Sequence, residues 1–368
     1  MSNPERGAMS TPSNRLLIAA SGTGGHLFPA LAVAEILESE QFQLEWLGVN
    51  NRLETQLVPK KYPLRTVPIE GLQTQIGFKT PILMGKLAVA VWQTRQLLKQ
   101  GHFQGVLTTG GYIAAPAILA AWSLGLPRVI HESNAIPGKV TRWLSPLCSQ
   151  VALGLADAVQ YLPKAKTVVV GTPVRPDFLS PCALGLPIPE AAPLIVVAGG
   201  SQGAVAVNQL IRACAPAWLA TGAWIVHLTG TQDAEAQSFQ HPHYLSMPFY
   251  DNMAGLWQRA NLAISRAGAG TLSELAIAAT PALLIPYPYA AEDHQAFNAA
   301  AFVKAGAAQM YRQNELTPEQ LEQTVIQWLQ HPQILEEMSA KAYSLAVPNS
   351  TERFAQLLLE QIRSDSIT

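Results

Sequence analysis

Three short glycine-rich clusters carry the chemistry that can be read first. Gly22, Thr23, Gly24, Gly25 and His26 follow one apolar run, and Gly199, Gly200, Ser201, Gln202 and Gly203 follow another. Arg266, Ala267, Gly268, Ala269, Gly270 and Thr271 form a third, ahead of a helix expected to start near Leu272. Glycine lets backbone N–H groups approach an anion closely, and the dipole of a helix N-terminus favours negative charge there. A diphosphate is the natural guest of such turns. One of them alone would equally be a tight turn needing positive φ; three in one chain favour the anion.

Two common phosphate-binding devices do not match. A dinucleotide site wants G-x-G-x-x-G and an acid about 20 positions on, after the second strand. Here the third glycine would fall at Leu27, and the second strand ends Leu47, Gly48, Val49, Asn50. No G-x-x-x-x-G-K-[ST] loop is present. No D-x-D occurs either, so the carboxylate pair that often holds a metal under a sugar-nucleotide diphosphate is missing, and neither a catalytic metal nor another cofactor is expected. His241 and His243 resemble part of a ligand set but lack partners at suitable spacing, and are read as a solvated loop.

The elements that position these turns recur. RLLIAA, an apolar strand from Arg15 to Ala20, enters SGTGGH, and HLFPALAVAEILES then shows apolar positions at helical spacing. QLEWLGV, GVLTTGGY with the helical AAPAILAAWSL, and PRVIHESN continue the alternation. Near Gly171 the pattern gives way to GTPVRPDFLSPCALGLPIPEAAP, a proline- and glycine-rich connector. It restarts with the strand PLIVVAG, the turn GGSQG and the helix AVAVNQLIRACAPAW, followed by strands at AWIVHLTG, NLAISRAG and TPALLIPYP. Alternating strands and helices mean parallel sheets covered on both faces, an α/β class.

At 368 residues the chain is long enough for two such domains. The expected division is a tail over 1–14, a first domain over 15–175, a second over 176–348, and a terminal helix over about 349–366 free to pack on either. Asn349 and Glu352 have the spacing of a capping box for that helix. The tail has no apolar core for a secretion signal, and Met9 is an alternative start. The uncharged runs Val106–Pro127 and Leu275–Ala291 are broken by glycine or proline, so no transmembrane helix is expected. A formal net charge of −1 argues against broad nucleic-acid binding. Cys148, Cys182 and Cys214 lack metal-type spacing, and a reducing cytoplasm suits them.

Taken together, SGTGGHLFPALAVAE at 21–35, GGYIAAPAILAAWSLGLPRVIHESNAIPG at 110–138, GTPVR at 171–175, GGSQGA at 199–204 and SRAGAGTLSE at 265–274 resemble the MurG family of peptidoglycan GlcNAc transferases. The resemblance runs from about residue 15 to 363, in the family's order. It implies the GT-B fold, two Rossmann-like domains facing a central cleft. It also implies an inverting transfer of GlcNAc from UDP-GlcNAc to the MurNAc 4-hydroxyl of undecaprenyl-diphosphate-MurNAc-pentapeptide (lipid I), giving lipid II.

Inversion implies a single displacement, with a base taking the acceptor proton as UDP leaves from the opposite side. His26 is the candidate base; alternatively it only shapes the acceptor site. By resemblance, Thr23, Gly24 and Gly25 line the cleft beside the diphosphates, Asn134 meets the donor sugar, and Arg175 and Ser201 bind the donor. Tyr250 would meet the uracil through its backbone. Ala269, Gly270, Thr271 and Leu272 belong to the third turn of the donor site. Glu274 suits the ribose hydroxyls, but Thr271 and Glu274 also satisfy T-x-x-E, which leaves a capping box open as its role. Gln295 and Asn298 would hydrogen-bond the sugar hydroxyls.

A lipid-linked acceptor requires contact with a membrane. Residues 76–99 set Ile82, Leu83, Leu87, Val91 and Trp92 among Lys79, Lys86, Arg95 and Lys99, the signature of a helix at an anionic membrane surface. An ordinary helix packed on its own sheet is the alternative. The expected location is the cytoplasmic face of the bacterial cell membrane, peripheral to it. The chain departs from the family at Ser133, where HEQN has glutamine, at Tyr250, where an aliphatic residue is common, and at TTGG before Tyr112, where GMGG is frequent. Two other functions compete: a UDP-GlcNAc epimerase of the same fold and a non-catalytic UDP-sugar sensor.

Overall fold

A computed structural model of the chain describes residues 14–69, 80–200 and 203–365. In the first half, strands β1 (Arg15–Ala19), β2 (Gln43–Gly48), β3 (Leu64–Thr66), β4 (Gly105–Thr108), β5 (Arg128–Glu132), β6 (Gln150–Leu153) and β7 (Thr167–Val169) alternate with helices. These helices are α1 (Gly24–Ser39), α2 (Glu54–Leu57), α3 (Thr80–Gln100), α4 (Ala114–Ser123) and α5 (Lys139–Leu144). The seven strands pair in the order β3-β2-β1-β4-β5-β6-β7, all parallel.

The second half repeats the plan. Strands β8 (Leu194–Ala198), β9 (Trp224–Leu228), β10 (Tyr244–Met247), β11 (Leu262–Ser265), β12 (Ala282–Leu284) and β13 (Ala308–Met310) form a parallel sheet in the order β10-β9-β8-β11-β12-β13. Its helices are α6 (Val205–Ala220), α7 (Met253–Arg259), α8 (Ala269–Ile277), α9 (His294–Ala305), α10 (Pro318–Gln330) and α11 (Pro332–Ser344), and the chain closes with α12 (Ser350–Asp365). In both sheets the strand order reverses beside the first strand. Ligands of open α/β sheets bind in the crevice at the carboxyl ends of the strands at such a switch point.

The strands are apolar throughout because both faces are covered. Leu16 and Ile18 pack with Val33 and Leu37 of α1 on one face, whereas Leu17 and Ala19 pack with Ala90 and Leu98 of α3 and Ala117 of α4 on the other. The second sheet divides in the same way, Ile195 and Val197 toward α6 and α10, Leu194 and Val196 toward α7 and α8. Full burial of each such leucine, isoleucine or valine is worth about 1.5–3 kcal/mol.

Helix α12 returns to the first sheet. Phe354 and Leu358 are fully buried among Leu16, Ile18 and Val33. The return passes beside the outgoing connector: Ser350 Oγ donates to Thr172 O at 3.2 Å, and a Cβ on Gly171 would meet Val347 at 2.7 Å. The three cysteines are unpaired.

Candidate active site

The first glycine turn joins β1 to α1 at the switch point of its sheet. Gly22 has φ +107°, a conformation L side chains rarely adopt. Helix α1 begins at Gly24 with Thr23 as an uncapped N-cap, and no described protein group engages the amides of Gly24 and Gly25. They are the orphan donors of a helix N-terminus. The Gly22 amide, by contrast, is taken: it donates to Glu54 Oε2 at 3.2 Å.

His26 stands in the first turn of α1 and is bound to Thr109 twice. The ring Nδ1 lies 2.6 Å from Thr109 O, and Thr109 Oγ1 donates to His26 O at 2.9 Å. A carbonyl only accepts, so Nδ1 carries the proton and Nε2 of the neutral ring keeps its lone pair. Gly110 (φ +91°) and Gly111 (φ +72°) pass over the ring; Cβ atoms on them would lie 3.6 Å from Cε1 and 3.8 Å from Nε2. The TTGG departure adds hydrogen bonds that a glycine and a methionine could not make, including Thr108 Oγ1 to Ala19 O at 2.6 Å.

On the same domain, Asn134 follows β5. Glu132 folds its loop by accepting from Asn134 N and Nδ2, both at 3.1 Å, and from Gly138 N at 2.9 Å. Asn134 Oδ1 accepts from Asn298 Nδ2 at 3.1 Å. Asn298 Nδ2 also donates to Ala267 O at 3.2 Å, and its Oδ1 accepts from Ala135 N at 2.8 Å. Asn298 is fully buried, and its amide ties the two domains together. The reason is geometric: α9 points its first turns at the loop after β5, and a buried amide takes whatever partners are in reach.

Arg175 lies on the connector between the sheets. Its guanidinium sits over Phe28 of α1 and Phe178, 5.2 Å from each ring, and its Nη2 is 3.5 Å from Glu274 Oε1 on α8. Burial raises the Glu274 carboxyl above its ordinary range, and Arg175 pulls it back. Arg175 Nε is buried without a protein partner. Helix α8 starts at Ala269, with Gly268 as N-cap, rather than near Leu272. Thr271 is therefore inside the helix and caps nothing, which removes the capping-box role for Glu274. The amides of Ala269, Gly270 and Thr271 form the helix's open N-terminus, with Leu272 behind them, donating to Gly268 O.

Gln295 Oε1 accepts from Tyr287 N at 2.9 Å and Ala267 N at 3.3 Å, which fixes its side chain beside the third turn. Tyr250 sits between β10 and α7 with its hydroxyl on Leu184 O. Ser201 lies outside the described residues; of the described ones between β8 and α6, Gly200 (φ +94°) accepts at its carbonyl from Gly203 N (φ +79°) at 2.9 Å. His241 and His243 form an exposed loop in which His243 stacks on Trp224. No group of three His, Cys, Asp or Glu side chains able to hold a metal occurs among the described residues.

Three buried groups escaped the sequence reading. Glu54 is fully buried, and its two oxygens accept from Gly22 N and from Val49 N, the latter at 2.9 Å. It ties the first turn to the end of β2. His131 donates Nε2–H to Gly171 O at 2.8 Å, which anchors the segment leading to Arg175; burial lowers its pKa to about 4. His227 has its pKa lowered to about 3 by burial and lies 3.0 Å from Asn208 Oδ1, whose Nδ2 donates to Thr229 O at 2.9 Å. Thr229 in turn packs against Gly203. Each has a partner 19 to 40 positions away, Gly22 N for Glu54, Gly171 O for His131 and Asn208 Oδ1 for His227, a relation that spacing cannot reveal.

On the first domain, α3 divides its faces. Ala90, Thr94 and Leu98 are buried and Leu87 packs on the core, so that residue is no part of an outer patch. Ile82, Met84 and Trp92 are exposed, at 62%, 53% and 61%. Residues 76–79, with Lys79, lie outside the described ones. No described helix is long and apolar enough to cross a membrane.

Known proteins share this arrangement. The glycosyltransferase family 28 N-terminal domain matches residues 16–153, and the family's C-terminal domain matches 194–357. Two relatives, from Nostoc punctiforme and Rippkaea orientalis, are UDP-N-acetylglucosamine–N-acetylmuramyl-(pentapeptide) pyrophosphoryl-undecaprenol N-acetylglucosamine transferases. They are 59% and 61% identical, over 95% and 94% of this chain and 98% and 97% of their own length. The crystal structure of MurG from Acinetobacter baumannii matches with a TM-score of 0.77 at 30% identity, over 94% of this chain and 99% of that one.

Proposed function

The chain belongs to glycosyltransferase family 28, and from that premise we propose how its residues carry out the transfer its relatives perform. The enzyme is a UDP-GlcNAc-dependent glycosyltransferase of peptidoglycan synthesis. It moves GlcNAc to the MurNAc 4-hydroxyl of lipid I and forms lipid II.

His26 is the base of a single inverting displacement. Its Nε2 takes the proton of the 4-hydroxyl as the C1–O bond to UDP breaks on the opposite face of the sugar. The observation that carries this reading is the Nδ1 contact with Thr109 O, which leaves the lone pair on the nitrogen facing the Gly110–Gly111 turn. The amides of Thr23, Gly24 and Gly25 receive the acceptor diphosphate. Negative charge on departing UDP meets Ser201, Arg175 and the open amides of Ala269, Gly270 and Thr271, and these helix amides are oriented before the charge develops. Glu274 holds the ribose hydroxyls and Tyr250 the uracil through its backbone. Asn134 and the amide of Gln295 hold the GlcNAc hydroxyls, and Asn298 joins them when the sugar displaces its bond to Asn134.

The exposed face of α3, with Ile82, Met84 and Trp92 beside Lys86 and Lys99, rests on an anionic membrane, peripherally at the cytoplasmic face, where lipid I is held. Replacing Ile82 and Trp92 by serine is expected to release the protein from phosphatidylglycerol vesicles while turnover of a water-soluble acceptor persists.

The reaction is tested with purified protein, labelled UDP-GlcNAc and a short-chain lipid I analogue. Label in the disaccharide product is expected. Label in UDP-ManNAc would make the protein an epimerase, and donor binding without turnover would make it a sensor.

A further inference from the structure

A cavity of about 400 Å³ opens on the first domain, lined only by first-domain residues. Its walls are the loops after β2 (Val49 to Arg52) and after β3 (Val67 to Ile69), together with Tyr112 and Lys86 of α3. It therefore lies over the carboxyl ends of β2, β3 and β4, in the crevice beside the switch point, and its size is within the ordinary range of small-molecule sites, ~300–1,000 Å³. We propose that this cavity is the subsite for the acidic peptide of the acceptor, with Arg52 pairing a peptide carboxylate. The proposal rests on the transferase reading above.

Position argues for the peptide. Tyr112 follows Gly111, whose Cβ would lie 3.8 Å from His26 Nε2, so the cavity begins one residue from the base. In MurNAc the attacking 4-hydroxyl is next to C3, and the C3 oxygen carries the lactyl group to which the peptide is joined. The diphosphate is on C1, across the ring. With the 4-hydroxyl at His26, the lactyl group is one ring position from the base and its peptide is within reach of this cavity. The diphosphate has its own donors in the amides of Gly24 and Gly25.

Chemistry agrees. Arg52 is exposed, and no carboxylate pairs with it among the described residues. The acid two positions on, Glu54, faces inward with both oxygens engaged by Gly22 N and Val49 N. Asn50 and Asn51 offer amides suited to peptide N–H and C=O groups, and the Tyr112 hydroxyl adds a further donor. Asn51 holds φ +60°, a conformation asparagine tolerates better than most residues, so the loop keeps its shape without a ligand. Val67 and Ile69 are buried and make an apolar wall. A lipid chain would not choose a cationic rim, whereas a peptide ending in a carboxylate matches each part of it.

The test compares two acceptors: the lipid-diphosphate MurNAc-pentapeptide and the same molecule with its lactyl group capped as a methyl amide. Arg52→Ala is expected to raise the KM for the pentapeptide acceptor about tenfold, with kcat and the KM for UDP-GlcNAc unchanged, and to leave the capped acceptor unaffected. Arg52→Lys should recover part of the loss, since it keeps charge but not the planar fork. Equal loss on both acceptors, or no loss on either, overturns the proposal. Free lactoyl-pentapeptide, which needs no turnover, is expected by ligand-observed NMR to bind wild-type protein and not Arg52→Ala. Absence of product with either acceptor would defeat the transferase reading alone, and the NMR comparison would still decide the subsite.

Discussion

Asn298, fully buried on α9 of the second domain, donates its Nδ2 to Oδ1 of Asn134 in the first, 3.1 Å away. The same side chain accepts from Ala135 N at 2.8 Å, so one amide joins the loop after β5 to the third glycine turn through Ala267. Asn298→Ala would leave Ala135 N and Ala267 O buried without these partners, at about 1–3 kcal/mol each. The expected result is a lowered Tm and a KM for UDP-GlcNAc raised at least tenfold. In a double-mutant cycle with Asn134→Ala the two changes should fall short of additivity by about 0.5–3 kcal/mol, as touching residues do. Strict additivity would mean the pair does not act as a unit.

His26→Ala should lower kcat by about 10²–10⁴, the usual share of a positioned base, with the KM for UDP-GlcNAc nearly unchanged. Thr109→Val makes the informative contrast. It removes the hydroxyl bond to His26 O but keeps the carbonyl that holds Nδ1, so turnover should stay within a few-fold. Steady-state rates of the two variants side by side check this; near-normal turnover of His26→Ala would remove the residue as base.

Glu54→Gln replaces two acceptors by one. Its amide would turn a donor toward either Gly22 N or Val49 N, leaving that group unsatisfied in a fully buried place. Urea denaturation should show a loss of about 1–3 kcal/mol. Because Gly22 opens the turn that carries His26, kcat should fall in parallel. A stability loss with kcat intact would confine Glu54 to the fold.

Acid should weaken the fold before most carboxylates titrate. Burial holds His131 at about 4 and His227 at about 3, against 6.5 in the unfolded chain. Below pH 6.5 the unfolded state takes up protons that these two side chains refuse, so stability present above 6.5 is lost as pH falls toward 4. The limiting slope is about 1.4 kcal/mol per pH unit for each group. Tm measured from pH 7 to 5 should decline; a flat profile over that window would count against both shifts.

The legible features were those written in consecutive residues. An apolar run, a glycine turn and a helical stripe each arise within a dozen positions, so both sheets, their turns and the return of the pattern after the connector could be read from one chain. Local reading failed where a boundary mattered. T-x-x-E at Thr271 and Glu274 leaves a capping box open beside the ribose role when the helix is expected near Leu272; the helix starts at Ala269, which closes that alternative, and Glu274 meets Arg175. On α3, periodicity gave the apolar positions but not their fates, since Leu87 packs inward while Ile82 and Trp92 stay exposed.

The sequence by itself determined the α/β class, the repeated strand–turn–helix plan, the glycine turns and, through their flanking blocks, the family. It did so because glycine at positive φ, helix N-termini and buried strands leave marks in residue type and spacing. Only the tertiary structure decided which nitrogen of His26 is free, that Glu54 occupies the Gly22 amide, and that Asn298 binds Asn134. Those depend on hydrogen bonds between groups up to 164 positions apart, and burial satisfies a polar group with whatever the folded backbone brings near, which no local pattern encodes.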